Sequence, residues 1–172
     1  MQSYSVVVPC KPYIAKYFTG IYGDVIPLDH KTDFGDTILT KLSARPVTRV
    51  NRQKIGVALK LYTSVLKFKL PIDLFYRLDS QVTDQQVVNI NRYLENVFDS
   101  TILQVIFIAV CFGVEKRTAT EAFLNRYNII IDEDITHDSI RQKDCRMRKN
   151  PAMRNNFLAT LSQTGFSLNL RA

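Results

Sequence analysis

The chain has 172 residues, 46% hydrophobic and 23% charged, with a formal charge of +7 and a pI near 9.4. That length suits one domain with a real core, and the composition excludes global disorder. Three cysteines without a Cys-x-x-Cys pair exclude a secreted disulfide framework and a structural zinc site, and predict reduced thiols with Cys111 buried.

The charge is unevenly placed. No acid lies between Asp36 and Asp73, where Lys41, Arg45, Arg49, Arg52, Lys54, Lys60, Lys67 and Lys69 fall. From Arg141 onward, seven basic residues face Asp144 alone. Two basic segments in an otherwise acidic chain favour a polyanionic partner such as nucleic acid. The N-terminus lacks a basic start and a long apolar run, so no signal peptide is expected. The apolar stretch from Ile102 to Val114 contains Gln104 and is too short to span a bilayer. A cytoplasmic location without a membrane partner is therefore expected.

Tyr4 to Val8 read as a first strand ending at Pro9. Pro12 opens a helix to about Tyr22, with Tyr13, Ile14, Tyr17, Phe18 and Ile21 as its apolar stripe and Gly23 as its stop. Val25 to Leu28 form a short strand broken by Pro27. Thr32 or Asp33 caps a helix carrying Phe34, Ile38, Leu39 and Leu42. Next, Ile55, Val57, Leu59 and Leu61 alternate with Gly56, Ala58, Lys60 and Tyr62, and Val65 to Leu70 continue the alternation. Two strands joined near Thr63-Ser64 are predicted, with one buried face and one basic face; a single long strand is the alternative. Leu74, Phe75 and Leu78 fit either a helical turn or an edge strand.

Thr83 and Gln86 form a capping box for an amphipathic helix over 84–99. The apolar segment from Thr101 has no polar face and is predicted as the buried central helix. A second capping box, Thr118 to Glu121, opens a short helix with Ala119, Ala122, Phe123 and Tyr127 inward and Asn128 as its left-handed stop. Thr136 caps a helix over 137–149 that Pro151 ends. In the tail, Phe157, Leu158 and Leu161 suit a short helix, and Phe166, Leu168 and Leu170 a last strand.

Helix 137–149 is the main candidate for function. Its apolar residues, Ile140 and Met147, make one narrow stripe, whereas Arg141, Gln142, Lys143, Arg146, Arg148 and Lys149 occupy the rest. So little apolar surface leaves most of the helix in water, where its cations can neutralise phosphates and one or two side chains can reach base edges. A solvated terminal helix with charges suited to its dipole is the competing reading. Arg45, Arg49, Arg52, Lys54, Lys60, Lys67 and Lys69 form the second candidate surface, as a β-ribbon or groove lining. Lysines that merely protect a sheet edge explain them equally well.

Nothing specifies a reaction. His30 and His137 sit in no metal-ligand pattern, and there is no Gly-rich phosphate loop and no nucleophile elbow. Asp132, Glu133 and Asp134 complement a helix N-terminus better than they form a metal site. No cofactor, metal or catalytic residue is expected. Two successive capped helices suggest a helix-turn-helix, although about eight residues separate Tyr127 from Thr136, against the usual three or four.

Glu121-Ala-Phe-Leu, Tyr127, Asp132-Glu-Asp-Ile and Arg146-Met-Arg-Lys149 resemble the C-terminal part of small uncharacterised proteins of bacterial phages and mobile elements. The resemblance covers about the last third of the chain and implies a DNA-binding role in such an element.

The expected fold is α+β: a small antiparallel sheet with a helical C-terminal half, helix-turn-helix-like and open to a winged form. Its regions are 1–82, 83–150 and a tail 151–172, within one compact domain. The expected function is non-enzymatic binding of duplex DNA in the control of transcription or replication. The alternative is an assembly module that forms a homo-oligomer through its terminal strands.

Overall fold

A computed structural model describes residues 4–44, 52–70, 72 and 82–149. In order these form β1 (Tyr4–Cys10), α1 (Pro12–Tyr22), β2 (Val25–Pro27), α2 (Asp33–Ser43) and α3 (Arg52–Leu59). Then follow β3 (Ser64–Leu70), α4 (Asp84–Cys111), α5 (Lys116–Arg126) and α6 (His137–Lys149). The expectations for Leu74, Phe75 and Leu78 and for the tail from Pro151 lie outside the described residues. The chain divides into two compact units, Met1–Phe98 with Tyr127–Ile129 and Asp99–Arg126 with Ile130–Ala172. The division falls inside α4.

The α+β class is as expected, but the sheet is mixed rather than antiparallel. Its order is β1-β3-β2, with β3 antiparallel to β1 and parallel to β2. This arrangement also overturns the predicted hairpin. Both sides of β3 are already paired, so residues 55–62 have no free neighbour there, and they fold as α3 and a closing turn. In that turn the Leu61 and Tyr62 amides donate to the Ala58 and Leu59 carbonyls, at 3.0 and 3.1 Å. The period-two pattern was misleading because Gly56 and Ala58, not polar residues, separate the apolar ones. Arg, Gln, Lys, Ala and Leu are moreover good helix formers.

The alternation in β3 is realised. Leu66, Phe68 and Leu70 are buried, while Val65, Lys67 and Lys69 are exposed. The inner face also carries Val8, Cys10 and Ile26 from the other strands; α1 packs on it, and Tyr13, Ile14, Tyr17 and Phe18 of α1 are buried, as are Ile38, Leu39 and Leu42 of α2. The first half of α4 completes this core with Val87, Ile90, Leu94 and Phe98. Each large apolar side chain so buried contributes on the order of 1.5–3 kcal/mol before conformational entropy is set against it. Aromatic pairs bind these elements further: Phe98 lies 4.9 Å from Tyr13 and 5.2 Å from Tyr17 between ring centroids.

The predicted caps explain where the helices begin. The Thr32 hydroxyl accepts from the Gly35 amide at 3.0 Å. Thr83 and Gln86 close a reciprocal box, with Thr83 N donating to Gln86 Oε1 at 2.8 Å and Gln86 N to Thr83 Oγ1 at 3.4 Å.

Two readings of α4 are corrected. It is one helix rather than two, since nothing near Asp99 or Ser100 breaks it. It ends instead in a Schellman motif at Gly113 (φ 80°), where Gly113 N donates to Val110 O at 3.0 Å and Val114 N to Ala109 O at 2.9 Å. Nor is its apolar second half a buried central helix. Ile102, Leu103 and Ile106 are buried, but Val105, Val110, Phe112 and Val114 are exposed. Cys111, expected inside, is exposed as well; the buried thiol is Cys10.

In the second unit, α5 starts at Lys116, two residues before the predicted box, and the Ala119 amide donates to the Glu115 carbonyl at 3.0 Å. Glu121 pairs with Arg117 rather than reaching back to Thr118. Ala119, Phe123 and Leu124 are buried, whereas Ala122 is exposed. Asn128 takes the expected left-handed conformation (φ 53°) in the turn that belongs to the first unit.

Candidate nucleic-acid interface

α6 forms where its cap predicts. The Thr136 hydroxyl accepts from the Ser139 amide at 3.2 Å, and Asp138 lies in the first turn, where the helix dipole favours an acid. Ile140 is buried and seats the helix in the second unit. Arg141 and Gln142 are exposed, and the Arg141 guanidinium stands 3.7 Å from Asp138 with both side chains 78% exposed. A pair so open to water holds the guanidinium weakly and leaves it able to exchange partners.

Lys143 behaves differently. Its ammonium donates to the Asp99 carboxylate at the start of the second unit's part of α4, and both side chains are largely buried. It fixes α6 in place and is not available to a phosphate, which removes it from the candidate contacts. Arg146, Arg148 and Lys149 lie on α6 in the last turns.

The second candidate surface is only partly assembled. Arg45 and Arg49 lie outside the described residues. Arg52 and Lys54 fall in the first turn of α3 rather than at a strand entry. Lys60 is exposed in the turn after α3, and Lys67 and Lys69 are exposed on β3. The sheet register sets Lys67 between Val7 and Val25, and Lys69 between Ser5 and Pro27. The outer sheet face is thus two lysines framed by small residues, Val7, Val25, Ser5 and Pro27, and among the described residues of the three strands it carries no aromatic ring on which bases could stack.

The connection from Tyr127 to Thr136 is not the tight turn of a helix-turn-helix. Asp134 organises its second part, accepting from the Ile130 amide at 2.7 Å while its own amide donates to the Ile130 carbonyl at 2.9 Å. Ile131 and Ile135 form an isolated bridge, and Asp132 turns the chain at φ 71°. The acidic run therefore shapes a loop. Among the described residues no three His, Cys, Asp or Glu side chains are grouped to hold a metal ion.

No protein-family model, curated protein or solved structure matches this chain.

The sequence reading passed over a cleft of about 660 Å³ in the second unit. Glu115, Lys116 and Arg117 line it from the start of α5, and His137, Ile140 and Arg141 from α6. Two of its cations, Arg117 and Arg141, have an acid beside them. Arg117 Nε donates to Glu121 Oε1 at 2.8 Å, a bond that raises the arginine's pKa with a smaller contribution from Glu115, and Asp138 stands 3.7 Å from the Arg141 guanidinium.

Proposed function

We propose that this protein binds nucleic acid without catalysis, its second unit contacting duplex DNA through α6. The observation that carries this reading is the way α6 is held: Ile140 and the Lys143–Asp99 pair anchor it, and Arg141 and Gln142 remain exposed. A helix anchored at one stripe holds Arg141 and Gln142 in fixed positions, which suits phosphate neutralisation and contact with base edges. Action in transcription or replication of a phage or mobile element belongs to the same reading.

Fluorescence anisotropy with mixed-sequence duplex and single-stranded DNA at two salt concentrations tests it. Binding should weaken steeply with salt, and replacing Arg141, Arg146 and Arg148 together with alanine should lower the slope of log affinity against log salt by roughly one unit per lost phosphate contact. An unchanged affinity and slope in that variant would remove α6 from the interface.

A second reading, self-assembly, draws on the outer sheet face. β1 is an edge strand seven residues long, and Val7, Val25 and Val65 are exposed beside it and across the sheet. An open edge of this kind can add a strand from another copy. Light scattering that finds only monomer across concentrations would dismiss it.

A further inference from the structure

The cleft of the second unit has no place in either reading. Its volume of about 660 Å³ falls within the roughly 300–1,000 Å³ of small-molecule sites. Thr120 and Ile140 on its wall are buried and form its floor, whereas Glu115, Arg117, His137 and Arg141 stand exposed around them.

Two guanidinium groups reach this cleft from different helices with donors to spare. Arg117 donates to Glu121 through Nε, so among the described residues its two terminal nitrogens make no hydrogen bond. Arg141 lies 3.7 Å from Asp138, beyond hydrogen-bond reach. Their side chains are 75% and 78% exposed, and ion pairs so open to water exchange partners at little cost. Lys116, also on the wall, is already engaged with another group.

We propose that this cleft binds a phosphate group, clamped by Arg117 from α5 and Arg141 from α6. A guanidinium offers paired, fixed donors that match the oxygens of an anion. Two such forks on different helices approach from two directions, which suits a tetrahedral phosphate better than a flat carboxylate. Both helices begin at the cleft, with Lys116 and His137 as their first residues, so the positive ends of their dipoles add to the attraction. The cleft is far larger than one phosphate needs, and Ile140 gives an organic body something apolar to rest on. Glu115 disfavours a second anionic group there but accepts a hydrogen bond from a hydroxyl. The ligand class is therefore a monophosphate ester with a hydroxylated body, or the phosphate of a DNA backbone. In the second case the inference rests on the DNA reading above, because Arg141 serves both.

Calorimetry on the full chain, with adenosine 5′-monophosphate as the probe, tests the first source. The nucleotide should bind at least about tenfold more tightly than adenosine, and inorganic phosphate should displace it. Arg117→Gln and Arg141→Gln should each weaken it about tenfold, because each removes charge-assisted hydrogen bonds. Paired Lys67→Gln and Lys69→Gln, which lower the net charge away from the cleft, should leave it unchanged. Anisotropy with a short duplex tests the second source: if the backbone supplies the phosphate, Arg117→Gln should lower duplex affinity as well.

The proposal is overturned if Arg117→Gln alters neither nucleotide nor duplex affinity. Adenosine binding as well as its monophosphate, or an equal loss in the Lys67 and Lys69 variant, would overturn the small-ester source and leave only the duplex arm to carry the clamp. Duplex binding that falls with Arg141→Gln but not with Arg117→Gln, without nucleotide binding, would keep α6 on DNA and remove the cleft.

Discussion

The Asn91 side-chain amide reaches from α4 to β1, donating to the Pro9 carbonyl at 2.7 Å from a fully buried position. The same nitrogen donates to Val87 O at 2.9 Å, so two carbonyl acceptors fix which way the amide faces. Its Oδ1, also buried, has no hydrogen-bond partner among the described residues. An apolar core tolerates this residue because its amide satisfies a half-buried edge-strand carbonyl.

Replacing that amide should cost stability rather than activity. Asn91→Ala should destabilise the protein by about 1–3 kcal/mol, the cost of leaving the Pro9 carbonyl unsatisfied. Asn91→Asp should cost more, since an acceptor-only carboxylate would face two carbonyls. Urea unfolding of the three proteins checks the order; an Asp variant as stable as the parent would contradict it.

Two helical glycines should respond to alanine with opposite signs. A Cβ at Gly35 would run into the Asp29 carbonyl oxygen and lie 2.7 Å from Thr32 Oγ1 and 2.8 Å from Asp29 N. Gly35→Ala should therefore destabilise by roughly 1–3 kcal/mol through overpacking, despite alanine's better helix propensity. At Gly56 a Cβ meets nothing within 4 Å among the described residues, and Gly56→Ala should stabilise by about 0.5–1 kcal/mol. Thermal melts of the two variants should move in opposite directions.

Neighbouring cations of α6 should separate stability from binding. Lys143→Met leaves the largely buried Asp99 without that ion pair and should destabilise by about 1–3 kcal/mol. Arg141→Ala should change stability by less than about 0.5 kcal/mol, as expected for an exposed pair. On the proposed function, only the arginine variant should weaken DNA binding while the fold stays intact. Denaturation and anisotropy measured on both variants decide this.

Alkaline pH should weaken the first unit through Cys10. Burial pushes its thiol up from 9.0 to about 12, against a smaller opposing effect from a backbone hydrogen bond with Ala15. Below the unfolded value both states hold the proton and stability is complete. As pH rises from 9.0 toward about 12 the unfolded thiol ionises first, and stability falls by up to about 1.4 kcal/mol per pH unit. Burial also raises Tyr22 and Tyr62, in the same sense. Cys10→Ala should therefore reduce, not abolish, the alkaline slope seen in urea titrations.

Most local signals in the sequence were dependable, because the physics is local. Thr32, Thr83, Thr136, Pro12, Gly23 and Asn128 each act within a turn of the chain, and each does what its residue type implies; the box at Thr118 is the exception, because the helix starts earlier and Glu121 pairs with Arg117. The C-cap at Gly113 was equally legible and was passed over because the apolar run around it looked like core. Of the candidate site, the helix carrying Arg141 and Gln142 was readable from its thin apolar stripe. The internal engagement of Lys143 was not, because Asp99 lies 44 residues away in sequence.

What the sequence determined by itself was the class of the fold, most of its helices and the buried face of β3, since periodicity and capping depend on near neighbours. Tertiary structure alone decided that β3 is the middle strand of a mixed sheet, that residues 52–59 are therefore helical, and that the apolar end of α4 faces outward. Those outcomes depend on which distant segments compete for the same strand edge or the same stretch of core, a competition that no local pattern records.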